Sequence, residues 1–237
     1  MSRKEEQHLD CEYCSARFSS VFCHLTKGDL QLVNQNKWCQ SVQKGQQLFT
    51  EGAYPHGIFC VNHGKIKIHQ MGTEGREQIV RLAKEGDVVG YRSLLSGEAY
   101  NCSATALDDT SICFIPKNVF LELVEKNKDL SMQIIQLLSK NLRQAENTIL
   151  HLAQKTVRER MAEALLFLKE IYGVEEDGET LTVSLSREEI ATLVGTATET
   201  AIRLLSEFKS GKMVEFVGKK IKIIDQKELL KTANIAE

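Results

Sequence analysis

Cysteine is the residue type with the most chemistry to offer in this chain, and its spacing is uneven. Cys11-Glu-Tyr-Cys14 sets two thiols two residues apart, and Cys23 follows after eight more residues. A C-x2-C pair followed by further Cys or His is a zinc spacing, which Cys11, Cys14 and Cys23 complete with His24 or Cys39. The same close pair can instead act as a dithiol switch. Cys39, Cys60 and Cys102 read as small buried hydrophobes. Cys113 lies in an apolar strand and admits that bland reading too. Seven cysteines are an odd number, and no export signal precedes them. They therefore read as reduced thiols or metal ligands in a reducing cytoplasm rather than as a disulfide framework.

A second constellation lies near the other end. Thr198, Glu199, Ile202 and Arg203 fall on the outward side of a short helical stretch, with Thr200 among them. A carboxylate can accept from cytosine N4, and a guanidinium can grip guanine O6 and N7. Alone, Glu199 and Arg203 would be only a solvated i,i+4 ion pair and a cap. Their neighbourhood argues for more. Between Thr198 and Ile224, Arg203, Lys209, Lys212, Lys219, Lys220 and Lys222 face Glu199, Glu207 and Glu215, a local excess of +3 in a chain of net charge −2. Lys219 and Lys220 stand where phosphate contacts are made.

Those residues need elements to hold them. The length of 237 residues suggests two domains. At 42% hydrophobic and 26% charged, the chain has an ordinary globular balance. No apolar run approaches a membrane span. Nine of the fifteen glycines fall within residues 45–97, between short apolar runs of strand length. That is the rhythm of an antiparallel sandwich or small barrel. After Pro116 the period turns helical. Ile135, Leu138, Leu142, Ala145, Ile149 and Leu152 are spaced 3, 4, 3, 4, 3, an a/d seam, while Leu130, Ile134 and Leu137 form a second stripe. Two stripes on one helix predict a homodimer, with the second stripe packing on the helix's own domain.

Beyond Lys155 the pattern predicts a helix over Val157–Tyr172, an acidic loop, and a short strand at Leu181–Leu185. Two helices joined at Val194-Gly195-Thr196 follow, then a hairpin broken at Gly218-Lys219. Ser186-Arg-Glu-Glu189 is a capping box, and Thr196-Ala-Thr-Glu199 repeats it. Helix, tight turn, helix and hairpin make a winged helix-turn-helix. The expected fold is α+β: a cysteine-bearing arm (1–28), a β-roll (29–116), helices including the dimerisation helix (117–154) and a winged helix-turn-helix (155–237).

Together, Lys44-Gly45-Gln46, Gly86-Asp87-Val-Val-Gly90, the seam helix and Val194-Gly-Thr-Ala-Thr-Glu-Thr-Ala-Ile-Arg203 resemble the Crp–Fnr family of bacterial transcription regulators, from about Leu30 to Ile224. The resemblance implies a cytoplasmic homodimer that binds an inverted repeat in double-stranded DNA and engages RNA polymerase. It gives Glu199 and Arg203 the reading of a GA core in each half-site. Ile202 departs from the serine of the oxygen-sensing branch, and Thr198 from the arginine of the cyclic-AMP branch. Cyclic AMP is not expected, since Tyr100-Asn101 stands at the family's phosphate-binding Arg-Ser pair and only Arg92 could substitute. The oxygen-sensing branch holds a 4Fe–4S cluster by three N-terminal cysteines and one before Ile-Pro. Cys11, Cys14, Cys23 and Cys113 match that set in kind and order, with a wider gap between Cys14 and Cys23. Zinc and a thiol switch stay open beside the cluster. No H-E-x-x-H, G-x-S-x-G or P-loop supports an enzyme. A regulatory subunit that never touches DNA would not need the Glu199/Arg203 helix.

Overall fold

A computed structural model of the chain describes residues 10–235; residues 1–9 of the expected arm and residues 236 and 237 lie outside the described part. The chain divides into two compact units. The first runs through Asn141 apart from Arg76–Ile79, and the second takes that segment and the chain from Leu142 onward.

The N-terminal unit opens with a 3-10 turn at Cys11–Tyr13, then α1 (Ser15–Phe18) and α2 (Lys27–Asn36). Thr26 and Asp29 cap α2 reciprocally. Eight strands follow: β1 (Trp38–Val42), β2 (Gln47–Phe49), β3 (Gly57–His63), β4 (Ile66–Met71), β5 (Glu77–Ala83), β6 (Val88–Val89), β7 (Ser103–Ala106) and β8 (Thr110–Pro116). They form two four-stranded sheets, ordered β1-β8-β3-β6 and β2-β7-β4-β5. The glycine-separated apolar runs thus become the roll that their spacing predicts. Strand β1 carries no such run: only Val42 is buried, so burial alternation gives no signal there. One core gathers aromatic rings inside the roll, with Phe49 stacked on Tyr100 at 4.0 Å and Phe59 against Phe114 at 4.9 Å. A second core joins Phe22, Leu30 and Val33 to Ile58, α3 (Tyr91–Ser96), α4 (Lys117–Lys126) and the start of α5 (Lys128–Gln154). Leu130 and Ile134 of α5 belong to this core, and each such fully buried side chain contributes about 1.5–3 kcal/mol.

In the C-terminal unit, α6 (Val157–Tyr172) begins at a second Thr-Glu capping box, Thr156 with Glu159. Helices α7 (Arg187–Val194) and α8 (Thr198–Ser210) follow, then β9 (Val214–Val217), β10 (Lys220–Ile223) and α9 (Gln226–Thr232). The expected strand at Leu181–Leu185 does not form. Among the described residues its β-pairing is limited to isolated bridges, Val174 to Leu181 and Thr180 to Lys222. No adjacent pairs extend either bridge into a ladder, although Leu181, Val183 and Leu185 are buried as alternation predicts. The fold is α+β: a β-roll, a long helix and a winged helix-turn-helix.

Candidate DNA-binding helix and cysteine site

The helix-turn-helix is built from its caps inward. Ser186 Oγ accepts from the Glu189 N–H at 3.0 Å while the Glu189 carboxylate accepts from the Ser186 N–H at 2.8 Å. Gly195 then ends α7 in the left-handed region at φ +72°, where a Cβ is strained. Arg160 of α6 holds this turn. Its guanidinium donates to the carbonyls of Val194 at 3.1 Å and Gly195 at 3.2 Å, and to Lys155 at 2.8 Å. Nothing in its local sequence marks Arg160 for that task, because its two partners in the turn lie 34 and 35 residues away.

The second expected capping box is absent. Ala197 is the N-cap of α8 and makes no side-chain cap bond, since the helix starts one residue later than the Thr196 box requires. Ala201, Leu204, Leu205 and Phe208 form the buried face of α8. Glu199, Ile202 and Arg203 are exposed on the other side, while Thr198 and Thr200 are half-buried. Glu199 and Arg203 do not pair. Arg203 instead bonds Glu207 at 2.5 Å, one turn further on, and Glu207 also takes Arg158 at 3.0 Å. The Glu199 carboxylate therefore stays near the positive end of the helix, and the Arg203 side chain is 64% exposed.

Strands β9 and β10 pair antiparallel with Val217 opposite Lys220, so the turn is the two residues Gly218-Lys219. Gly218 has φ +60°, the positive value that a two-residue hairpin needs at its first central position. Lys219 is exposed at the tip. Lys220 is ion-paired with Glu175, and Lys222 with Glu179 at 2.9 Å and Asp177 at 3.6 Å. The acidic loop thus offsets part of the basic excess counted in the sequence, and Lys219 carries the open charge of the wing.

Helix α5 bears two faces. Leu130 and Ile134 are buried and Leu137 is partly covered. Ile135, Leu138, Leu142, Ala145, Ile149 and Leu152 are exposed, Leu142 by 62% and Ile149 by 68%. Five large apolar side chains in a/d register exceed the scatter of single exposed hydrophobes usual on a monomer.

The cysteines divide differently from expectation. Cys39 of β1 and Cys113 of β8 are directly opposite in register, with Cα atoms 4.0 Å apart, and form a disulfide. That corrects the expectation of reduced thiols throughout: Cys39 is not a lone buried hydrophobe, because the pairing of two distant strands puts it against Cys113. Cys11, Cys14, Cys60 and Cys113 line one mostly apolar cavity of about 50 Å³. The buried Lys37 ammonium donates to Cys11 Sγ at 3.1 Å, and Asn62 donates to Cys14 Sγ at 3.3 Å. Burial pushes the Cys11 thiol up, against the opposing pull of Lys37. Burial also holds the Cys60 thiol far above its usual range. Cys23 does not line the cavity; its carbonyl accepts from Arg17 at 3.1 Å. Among the described residues no three His, Cys, Asp or Glu side chains are placed together to hold a metal ion. As arranged, the set Cys11, Cys14, Cys23 and Cys113 does not fit a cluster, and neither zinc set gathers.

Inside the roll, Arg81 and Arg92 line a cavity of only about 20 Å³ beside Phe49, Tyr100, Asn101 and Cys102. Arg81 is a guanidinium that the sequence reading missed. It is bonded to the Val88 carbonyl at 3.2 Å.

Comparison with known proteins agrees with this architecture. A cyclic nucleotide-binding domain model matches residues 39–127 and a Crp-like helix-turn-helix domain model matches residues 159–232. The chain is 31% identical over 223 residues to electron transport regulator A of Shewanella oneidensis, covering 93% of this chain and 89% of that one. It is 27% identical to the fumarate and nitrate reduction regulatory protein of Vibrio cholerae, covering 97% and 92%. The crystal structure of a CRP/FNR-family transcriptional regulator from Thermus thermophilus superposes with a TM-score of 0.71 at 25% identity, covering 83% of this chain and 98% of that one. Among the described residues no helix is long and apolar enough to cross a membrane. The relatives are transcription regulators rather than enzymes, and this chain belongs to the Crp/Fnr family of DNA-binding transcription regulators.

Proposed function

We propose that the chain works as a homodimer that reads an inverted repeat with a GA-containing half-site, under the control of a redox signal received in its N-terminal half. The observation that carries the DNA reading is α8 itself. One face is sealed into the unit by Ala201, Leu204, Leu205 and Phe208, while Glu199, Ile202 and Arg203 stand in solvent. Such a helix enters the major groove by its first turns, where these residues are. Arg203 suits guanine O6 and N7, and Glu199 suits cytosine N4. Lys219 at the wing tip meets phosphate, with Lys220 beside it once Glu175 yields.

The exposed a/d seam supports a second copy of this chain as the partner of α5. Two-fold symmetry then presents two α8 helices to two half-sites. The redox reading rests on the cysteine-rich cavity, and on relatives whose names concern electron transport and fumarate and nitrate reduction. It does not rest on a cluster or on zinc, because the donor sets do not gather. The stacked Phe49 and Tyr100 rings and the small cavity behind them support the expectation that cyclic AMP is not the effector.

The test is a gel shift with the full-length chain. It should bind a duplex carrying a GA-containing inverted repeat at least 1,000-fold more tightly than a scrambled duplex at physiological salt, the usual margin of specific over non-specific sites. Equal affinity for both duplexes would refute the reading.

A further inference from the structure

Three cysteines from sequence-distant strands form a row across the first sheet. Cys39 of β1, Cys113 of β8 and Cys60 of β3 are directly opposite one another in register. Residues so placed share one face of the sheet. The 3-10 turn and the residue after it bring Cys11 and Cys14 to the cavity that Cys60 and Cys113 also line. Four cysteines, Cys11, Cys14, Cys60 and Cys113, therefore meet along the lining of one cavity, and Cys39 joins them through its disulfide. They do so as a disulfide and a nearby C-x2-C dithiol, not as four thiolates around a metal, with Cys23 left out. This disagreement with the family-derived ligand set has a chemical meaning.

Building on the redox reading above, we propose that the cavity is a thiol–disulfide exchange site, in which the Cys11/Cys14 dithiol passes two electrons to the Cys39–Cys113 disulfide. Its external partner is a low-molecular-weight thiol/disulfide couple. Cys11 is the attacking group, because it lines the cavity with Cys113 and the Lys37 ammonium, donating to its Sγ at 3.1 Å, offsets part of the burial that disfavours its thiolate. Cys113 is the sulfur attacked, because it lines the cavity and Cys39 does not.

The Cys11 thiol gives its proton to water and, as a thiolate, attacks Cys113 Sγ. The Cys11–Cys113 bond forms as Cys39–Cys113 breaks, and Cys39 departs as a thiolate that takes a proton from water. The Cys14 thiolate, its proton given to water, then attacks Cys11 Sγ. The Cys11–Cys14 bond forms, and Cys113 leaves as a thiolate and is protonated in turn. One S–S bond is broken and one made, so the exchange consumes no oxidant or reductant. The external dithiol or thiol pair reduces Cys11–Cys14 by the same two displacements and is itself released as a disulfide. Cys60, half-buried beside Cys113, takes no part.

Peptide mapping of the full-length chain after alkylation tests this. The chain is oxidised with diamide, then treated with a graded glutathione couple. The fully oxidised chain should alkylate at three cysteines, with Cys11 linked to Cys14 and Cys39 linked to Cys113, and at five after one two-electron reduction by glutathione. Under partial reduction, Cys14→Ser should accumulate a Cys11–Cys113 cross-link, because the resolving thiol is gone; Cys14→Ala guards against a folding defect peculiar to serine. Cys11→Ser should give no such cross-link and should keep Cys39–Cys113. Cys23→Ser should map as the parent does. Alkylation of all seven cysteines after oxidation would overturn the proposal. So would iron and sulfide bound in equal amounts by the anaerobic chain, lost in Cys113→Ser and kept in Cys39→Ser. Gel shifts on the same samples separate this from the DNA reading. A chain that maps as described but has no preferred duplex overturns sequence-specific binding and leaves the exchange site standing. A chain that binds its site yet alkylates at all seven cysteines overturns the exchange site alone.

Discussion

Leu142→Glu is the sharpest perturbation of the dimer, because its effect can be worked from the structure. Leu142 is 62% exposed on α5 and lies at the centre of the seam. Full burial of a leucine is worth about 1.5–3 kcal/mol, so covering that open fraction contributes about 1–2 kcal/mol per protomer and about 2–4 kcal/mol per symmetric dimer. Glutamate removes this gain. In a parallel pairing it also sets two carboxylates against each other in a desolvated seam, which adds further cost. At 1.4 kcal/mol per tenfold, a total of about 3–6 kcal/mol raises the dimer dissociation constant by roughly 100-fold to 10,000-fold. Sedimentation equilibrium should show parent dimer and variant monomer at the same micromolar concentration. The monomer's own stability should hardly change, since the side chain is already in water. Leu150→Glu is the control, as Leu150 is 47% exposed but off the seam. If Leu142→Glu dimerised as tightly as the parent, or if Leu150→Glu dissociated equally, the seam would not be the interface.

Arg203→Ala should cost about 1–3 kcal/mol on the GA-containing duplex and relax discrimination at that base pair, read by gel shift against single-base variants. Lys219→Ala should weaken all duplexes alike and reduce the slope of log affinity against log salt by about 1, since it removes one phosphate contact. Gly195→Ala should lower thermal stability by about 1 kcal/mol or more, because φ +72° strains any Cβ and Leu152 lies 3.2 Å from where that atom would sit; an unchanged melting temperature would mean that the turn relaxes freely. The Asp177 carboxyl is held well below the usual carboxylate range by the Thr180 hydroxyl, the Thr180 and Glu179 N–H groups and Lys222. A depressed folded-state value means that this contribution is present above about pH 4 and is lost as the pH falls further. Asp177→Asn should therefore show a shallower loss of stability below about pH 4 than the parent, measured by acid unfolding.

The sequence by itself determined whatever depends on neighbours along the chain. Glycine punctuation and apolar runs marked seven of the eight roll strands, because turn chemistry and β periodicity are local. The 3-4 spacing on α5 separated the stripe that packs inward from the stripe left in solvent. Ser186, Glu189 and Gly195 marked α7 and its turn, and Ala201, Leu204, Leu205 and Phe208 marked the hidden face of α8. Where local signals were weak or competed, the reading slipped. Strand β1 has no buried alternation, Leu181–Leu185 alternates but finds no ladder, and the Thr196 box loses to a helix that starts at Thr198.

Pairings between distant residues were decided only by the tertiary structure. Arg203 can reach Glu199 or Glu207 equally well along a helix, and it is Glu207, already held by Arg158 of another helix, that takes it. Lys220 and Lys222 count as free basic charge in the sequence until the acidic loop folds against them. Cys39 and Cys113 are 74 residues apart, and only the register of β1 on β8 makes them partners. The order of the cysteines suggested a metal set that included Cys23. The strand register instead brings Cys60 beside Cys113, because side chains meet according to sheet topology and not according to their order in the chain.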